Sequence, residues 1–279
     1  MNEGNLIVST KLQLGVSTSA FFPHSLEATL AMLAAQPWHG VELMPQTPEE
    51  CRPAFAAQLL KLGGGRFQFC AIHFPQILAP FLYNPYPGAF AYGQQLCTDL
   101  GNLAGALGCT AIVVHAPWDN MAHGAFLDAT LANFRLLCDT CLEHDVFVAL
   151  ENVPSTALSN SPETMVAFAA QIARPNLSFT VDITHAYQLS QDPLIYLESL
   201  PSIAHVHASD FDTATNQRHE APGAGVVNWP AVIGALRARG FAGNFILELL
   251  PKTLGEDPVQ TLQRSTALLD PLFENWPHL

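Results

Sequence analysis

The sequence predicts an α/β protein, a (β/α)8 TIM barrel in which eight parallel strands alternate with eight helices. Short apolar runs rich in β-branched and aromatic residues alternate along the chain with longer amphipathic stretches, the pattern of parallel strands covered by crossover helices. Eight such units can be counted between residues 12 and 268, and eight fit a closed barrel. Six of the strand-like runs end, or nearly end, in a residue able to bind metal: His73, His115, Glu151, Asp182, His207 and Glu248. Only a closed ring brings those ends round one pocket. A doubly wound sheet is the competing architecture, but no glycine-rich phosphate loop follows the first strand.

The first strand is read at 12–17, followed by the loop Phe21-Phe22-Pro23-His24 and a helix over 25–35. Leu26, Leu30 and Leu33 give that helix its apolar face and Ser25 its cap. A second strand is expected at 40–44. Thr47-Pro-Glu-Glu50 resembles a capping box, but Pro53 interrupts any helix begun there, so the helix is expected to start near Pro53 and stop at Gly63-Gly64-Gly65. Strands at 67–73 and 111–115 flank a proline- and aromatic-rich loop over 74–87, too long for a plain connector, and a helix over 89–107. A helix around Phe134 follows. The fifth strand, 146–151, leads to a helix opened by Ser161-Pro162-Glu163.

In the stretch L-S-F-T-V-D-I-T-H, Leu177, Phe179 and Val181 alternate with Ser178 and Thr180. The run ends in Asp182, with His185 three residues on. A short helix is expected over 194–200, a strand over 203–207, a polar loop over 208–227, a helix from Asn228 to Gly240, a last strand over 244–248 and a last helix over 259–268. No linker or low-complexity run divides the chain, so 1–279 reads as a single TIM-barrel domain.

Composition narrows the function. A formal net charge of -13, from 24 acidic and 11 basic residues with only three lysines (Lys11, Lys61 and Lys252), opposes a long phosphate backbone and disfavours nucleic acid as a partner. The first ten residues lack a basic start and an apolar core of leader length, and no run approaches a membrane span. A cytoplasmic protein acting on a small molecule, with no membrane partner, is the expectation; oligomeric state is left open. Six scattered cysteines suit reduced, buried thiols. Cys138-Asp-Thr-Cys141 has redox or zinc spacing, but Phe134, Leu137 and Leu142 place both thiols on the apolar stripe of a helix, and no second ligand pair lies nearby.

Neutral imidazole and carboxylate oxygen are the natural ligands of divalent ions, and a catalytic ion keeps a position open. Glu151, Asp182, His207 and Glu248 offer a mixed nitrogen and oxygen set from neighbouring strands. A histidine ending a strand is commonly a hydrogen-bonded rim residue, and a carboxylate there commonly caps the next helix. In a chain only 13% charged, so many at successive strand ends point to one shared site. His73, His115, His185 and His219 stand as further candidate ligands. His73, His115, His185, Arg218 and Trp118 stand as candidate substrate contacts, Arg218 as the only arginine of the strand-seven loop. Phe21, Phe22, Phe74, Phe81 and Tyr83 are expected at the same rim. Zinc, manganese, cobalt or iron fit such ligands; magnesium fits less well as histidines accumulate.

Gly40-Val-Glu-Leu, Leu150-Glu-Asn152, Asp182-x-x-His185, His207-x-x-Asp210, the loop His219-Glu-Ala-Pro-Gly-Ala-Gly225 and Leu247-Glu248, in that order and spacing, resemble the xylose isomerase-like barrel superfamily. That group includes sugar phosphate isomerases and epimerases and endonuclease IV. The resemblance implies Glu151, Asp182, His207 and Glu248 as metal ligands. It further implies Glu151 and Glu248 as catalytic acid and base, and His185 as the catalytic histidine that touches the substrate oxygen beside the reacting carbon. The chemistry is sound on its own terms: charge held at a carbonyl and its neighbouring hydroxyl stabilises an enediolate, and a carboxylate on each face can remove and return the proton. The endonuclease IV branch implies a larger set that adds His73, His115, His185 and His219. There the expected Asp-x-His reads Gln217-Arg218-His219, an amide where an anionic ligand belongs. A metal-dependent sugar isomerase or epimerase is therefore the first expectation. An endonuclease IV-like zinc phosphodiester hydrolase, a related dehydratase and a non-catalytic sugar-binding barrel are the alternatives.

Overall fold

Among the described residues, ten short strands organise the chain: β1 (Gln13–Ser17), β2 (Gly40–Leu43), β3 (Gln68–His73), β4 (Ala111–Val114), β5 (Phe147–Glu151), β6 (Leu177–Asp182), β7 (His205–Ala208), β8 (Asp210–Asp212), β9 (Gln217–Glu220) and β10 (Asn244–Leu247). The structure, a computed structural model, describes residues 13–35, 38–255, 257–273 and 276. Eight of the strands close in the order β1-β10-β7-β6-β5-β4-β3-β2, and every neighbouring pair is parallel. The expected barrel is the observed one. All four residues of β4 and of β10 are buried, because a parallel strand has helices on one face and the barrel lumen on the other. Closure falls at β1, where Val16 lies opposite Leu247 on one side and Val41 on the other. Gly15 permits it: a Cβ there would stand 2.5 Å from the Ile246 side chain and 2.8 Å from the Gly40 carbonyl oxygen.

Most helices start where the sequence places their caps. Ser25 accepts from Ala28 N ahead of Leu26–Ala34, and Ser161 accepts from Thr164 N ahead of Pro162–Ile172. The segment before Pro53 does form a box, with Glu50 Oε2 accepting from the Gln46 and Thr47 amides. Two 3₁₀ turns then intervene, so the helix begins at Ala56 instead of Pro53 and ends at Gly63. Proline at the start of a turn fixes φ but supplies no N–H donor, which favours the tighter turn there. The helix expected from 89 begins two residues earlier, at Pro87, and the final one runs through Phe273. Cys138 and Cys141 are fully buried on Gly124–Leu142, and all six cysteines are free thiols in the interior.

Several described elements lay outside the sequence reading, among them a short helix, Pro80–Tyr83, within the segment expected as a loop over 74–87. A helix, Ile183–Gln188, starts directly from Asp182. The segment expected as a polar loop over 208–227 contains the antiparallel pair β8 and β9, and a short helix, Pro251–Leu254, follows β10. Residues 1–12, on which the leader-peptide reading and the first residue of strand one rest, lie outside the described residues. Among the described residues no helix is long and apolar enough to cross a membrane.

Candidate metal centre

The barrel delivers the strand ends to one place. Glu151 ends β5, Asp182 ends β6, His207 lies within β7 opposite Asp182, and Glu248 follows β10 directly. One ligand atom from each lies within 4.8 Å of the others, and all four residues are buried. His207 Nδ1 stands 3.2 Å from Glu151 Oε1, 3.2 Å from Glu248 Oε2 and 4.0 Å from Asp182 Oδ2.

Local chemistry explains why each group can sit there. Asp182 caps the helix it begins: its Oδ1 accepts from Thr184 N, Thr184 Oγ1 and His185 N, which leaves Oδ2 buried without a hydrogen-bond partner. Asn152, next to Glu151, accepts from Asp182 N (2.7 Å) and donates to Asp182 O (3.0 Å), locking the ends of β5 and β6 together. Three carboxylates gathered round one imidazole nitrogen, one of them with an orphaned oxygen, are the donor set of a divalent cation. The residues present fit such an ion.

The electrostatics follow from burial and these neighbours. Burial alone raises a carboxyl pKa, yet His207 and His115 hold Glu151 well below the ordinary range. Glu248, least compensated, is pushed up by burial to about 7. Burial works against protonation of His207, but Glu248, Glu42 and Glu151 outweigh it and raise its pKa well above the usual imidazole value.

The further histidines come to the same floor. His73 Nε2 and His115 Nε2 lie 3.4 and 2.9 Å from Glu151 Oε2, and His219 Nδ1 lies 3.9 Å from Asp182 Oδ2. His73, His185 and His219 each set Nδ1 against a backbone carbonyl, of Phe74, Asn152 and Glu248 respectively. A carbonyl only accepts, so Nδ1 carries a proton in each, and whenever the ring is neutral the Nε2 lone pair is left for another partner. His219 holds the left-handed conformation, φ 58°, unusual for a residue with a Cβ and typical of functional loops. Burial lowers its pKa to about 4.

Above this floor opens a cavity of about 490 Å³, lined by His115, Glu151, His185, Arg218, His219 and Glu248 together with Tyr83, Trp118, Gln76 and Gln188. Arg218 donates to Gln188 Oε1 across the mouth. Gln217, in the place of the expected carboxylate, is bonded instead to Lys252. His73 lies behind Glu151, off the cavity wall. Of the expected aromatic rim, Tyr83 and Trp118 wall the cavity, 6.1 Å apart edge to face. Phe21 and Phe74 are core residues, Phe81 packs on Tyr92, and Phe22 lines a separate cavity of about 230 Å³. Phe21 and Phe74 turn into the core instead of the cavity, whereas Phe22 stays exposed.

The family model for the xylose isomerase-like TIM barrel matches residues 93–271. The chain belongs to that family. Among solved members of this fold, a D-tagatose 3-epimerase-like protein superposes with a TM-score of 0.77 at 21% identity, over 94% of this chain and 97% of that one. The D-allulose 3-epimerase of a Methylomonas species, in complex with D-allulose, superposes with a TM-score of 0.73 at 16% identity, over 94% and 97%. At the sequence level, 81 residues are 28% identical to 3-dehydroshikimate dehydratase of Bacillus anthracis; the match spans 29% of this chain and 29% of that protein.

Two buried groups of this xylose isomerase-like barrel had no role in the sequence reading. Glu42 of β2 and His205 of β7 fill the lumen beneath His207, both with 0% exposure. A charged residue inside the four-residue apolar strand Gly40–Leu43 was the available signal for Glu42. Asp210 is the third residue of note: it accepts from the amides of Phe211, Gly223 and Val227 and from Trp229 Nε1, and so anchors the loop that carries His219.

Proposed function

We propose that this chain is a divalent-metal-dependent isomerase or epimerase of a small sugar or related hydroxy-carbonyl compound. The observation that carries the reading is the set Glu151, Asp182, His207 and Glu248, from four adjacent barrel strands, with one ligand atom of each within 4.8 Å of the rest. When bound, a divalent ion supplies positive charge at substrate oxygens beside the reacting carbon. The residues of the chain do the remainder. Glu151 and Glu248 come from strands on either side of β7 in the barrel order, and we place a substrate over the floor between the two carboxylates. One removes the proton next to the carbonyl and the other returns it. His185, its Nδ1 fixed by the Asn152 carbonyl at 2.9 Å, hydrogen-bonds the neighbouring substrate oxygen through Nε2. Arg218 and Trp118 orient the distal end of the substrate and limit water at the mouth.

The test is exchange of carbon-bound hydrogen in heavy water, followed by NMR across a panel of ketoses and of cyclic hydroxy-carbonyl acids. Exchange with an epimeric or isomeric product supports the proposal. Exchange followed by loss of water places the chain with dehydratases, and no exchange with any substrate, in protein loaded with manganese, cobalt or zinc, overturns it.

The gathering of His73, His115 and His219 at the same floor favours a second reading, a zinc-dependent phosphodiester hydrolase. Two or three zinc ions per chain by elemental analysis, together with preferential binding of abasic over undamaged duplex DNA, would put that reading first. The net charge of -13 predicts no such preference at physiological salt.

A further inference from the structure

Beneath the four-residue set lies a carboxylate that touches neither the cavity nor solvent. Glu42 projects from β2 into the lumen, and its Oε2 lies 3.1 Å from His207 Nε2 and 3.0 Å from His205 Nε2, while Oε1 has no hydrogen-bond partner. Absent from the cavity lining, it has no access to substrate and no part in proton transfer. Burying such a charge is costly unless it is paired. Its partner across the barrel is 165 residues away in sequence.

We infer that Glu42 is a positioning residue that fixes which nitrogen of His207 faces the proposed metal. The inference rests on the reading of Glu151, Asp182, His207 and Glu248 as a metal site. An ionised carboxylate accepts only, so the His207–Glu42 hydrogen bond requires a proton on Nε2. Nδ1 is thereby turned toward Glu151, Asp182 and Glu248; without an ion it shares a proton with Glu151 Oε1 at 3.2 Å, and a cation bound there would displace that proton and take the lone pair. With the proton on Nδ1 instead, the ring would offer its lone pair to Glu42 and nothing to the ion. A carboxylate behind a ligating imidazole also makes the imidazole a stronger donor. His205 completes the arrangement: its ring meets that of His207 edge-on, 4.8 Å between centroids and 87° between planes, and blocks the ring from turning over. The same three side chains have ligand atoms close enough to hold a cation themselves, but that would demand both nitrogens of His207 for two ions at once.

The experiment uses the full chain stripped with chelator and titrated with Mn²⁺ and with Zn²⁺, wild type beside Glu42→Gln, with circular dichroism as the folding control. The expected result is unchanged stoichiometry with affinity weaker by roughly 10- to 100-fold. In the zinc-loaded wild type, ¹⁵N-histidine NMR should show His207, identified by its loss in His207→Gln, protonated on Nε2. That second measurement stands even where Glu42→Gln folds poorly. Equal affinities, a His207 proton on Nδ1, or loss of one whole ion in Glu42→Gln would each overturn the role of Glu42. Failure of the wild type to bind either ion would overturn the metal reading itself, and this inference with it.

Discussion

Asn152 and Asp182 are joined by two hydrogen bonds in opposite senses, the Asp182 amide donating to Asn152 Oδ1 at 2.7 Å and Asn152 Nδ2 donating to the Asp182 carbonyl at 3.0 Å. Because Glu151 precedes Asn152, this pair sets the spacing of two of the four proposed ligands. Asn152→Ala should leave the buried Asp182 amide without its partner, at a cost of about 1–3 kcal/mol, and should weaken metal binding as well. Chemical unfolding and a metal titration check the two effects; a variant with the stability and affinity of the wild type would refute the linkage.

Glu151→Gln should abolish turnover while leaving the barrel folded. The amide preserves shape but removes the proton acceptor, and loss of a general base of this kind costs roughly 10²- to 10⁴-fold. Glu248→Gln should lower hydrogen exchange to a comparable degree. Activity retained in Glu151→Gln would remove that residue from the mechanism.

Metal binding should raise thermal stability, since the ion needs the four strand ends together and an unfolded chain does not hold them. Saturation at about 100 times the dissociation constant adds about 2.7 kcal/mol. Scanning calorimetry with and without chelator measures it, and coincident melting curves would speak against the site.

Alkali should weaken the fold through the thiols. Burial pushes Cys51 and Cys138 up from 9.0 to about 12, and raises Cys70, Cys97, Cys109 and Cys141 as well. The folded state therefore keeps protons that the unfolded chain releases. For a group raised in this way, stability is fully present below the unfolded pKa and is lost as pH climbs toward the folded one. Denaturant midpoints should fall from about pH 9 up toward about pH 12, with native thiols slow toward alkylating reagents. Rapid modification of several thiols in the folded protein at neutral pH would contradict this.

The barrel was legible because a buried parallel strand is a short apolar run, and a polar residue at its end stands out against it. Glu151, Asp182, His207 and Glu248 were all read that way, and the structure brings them together. Glu42 was harder to read. It sits inside its strand instead of at the end, and its partners lie on β7, beyond the reach of local pattern. The pair β8 and β9 was hidden because Gln217-Arg218-His219-Glu220 pairs as a strand without an apolar face, held down by Asp210. The Ile183–Gln188 helix was missed because its cap, Asp182, had already been spent as a strand end.

Closure of the ring at β1 and β10 also decides when the site comes into being. The last proposed ligand directly follows β10, a strand that pairs with β1 on one side and β7 on the other, so contacts distant in sequence must form late. No fragment ending before residue 244 contains the pocket, and a chain still being synthesised acquires it only after β10 has emerged. The number of ions bound per chain at saturation, under the proposed function, would thus report the fraction of molecules whose barrel has shut.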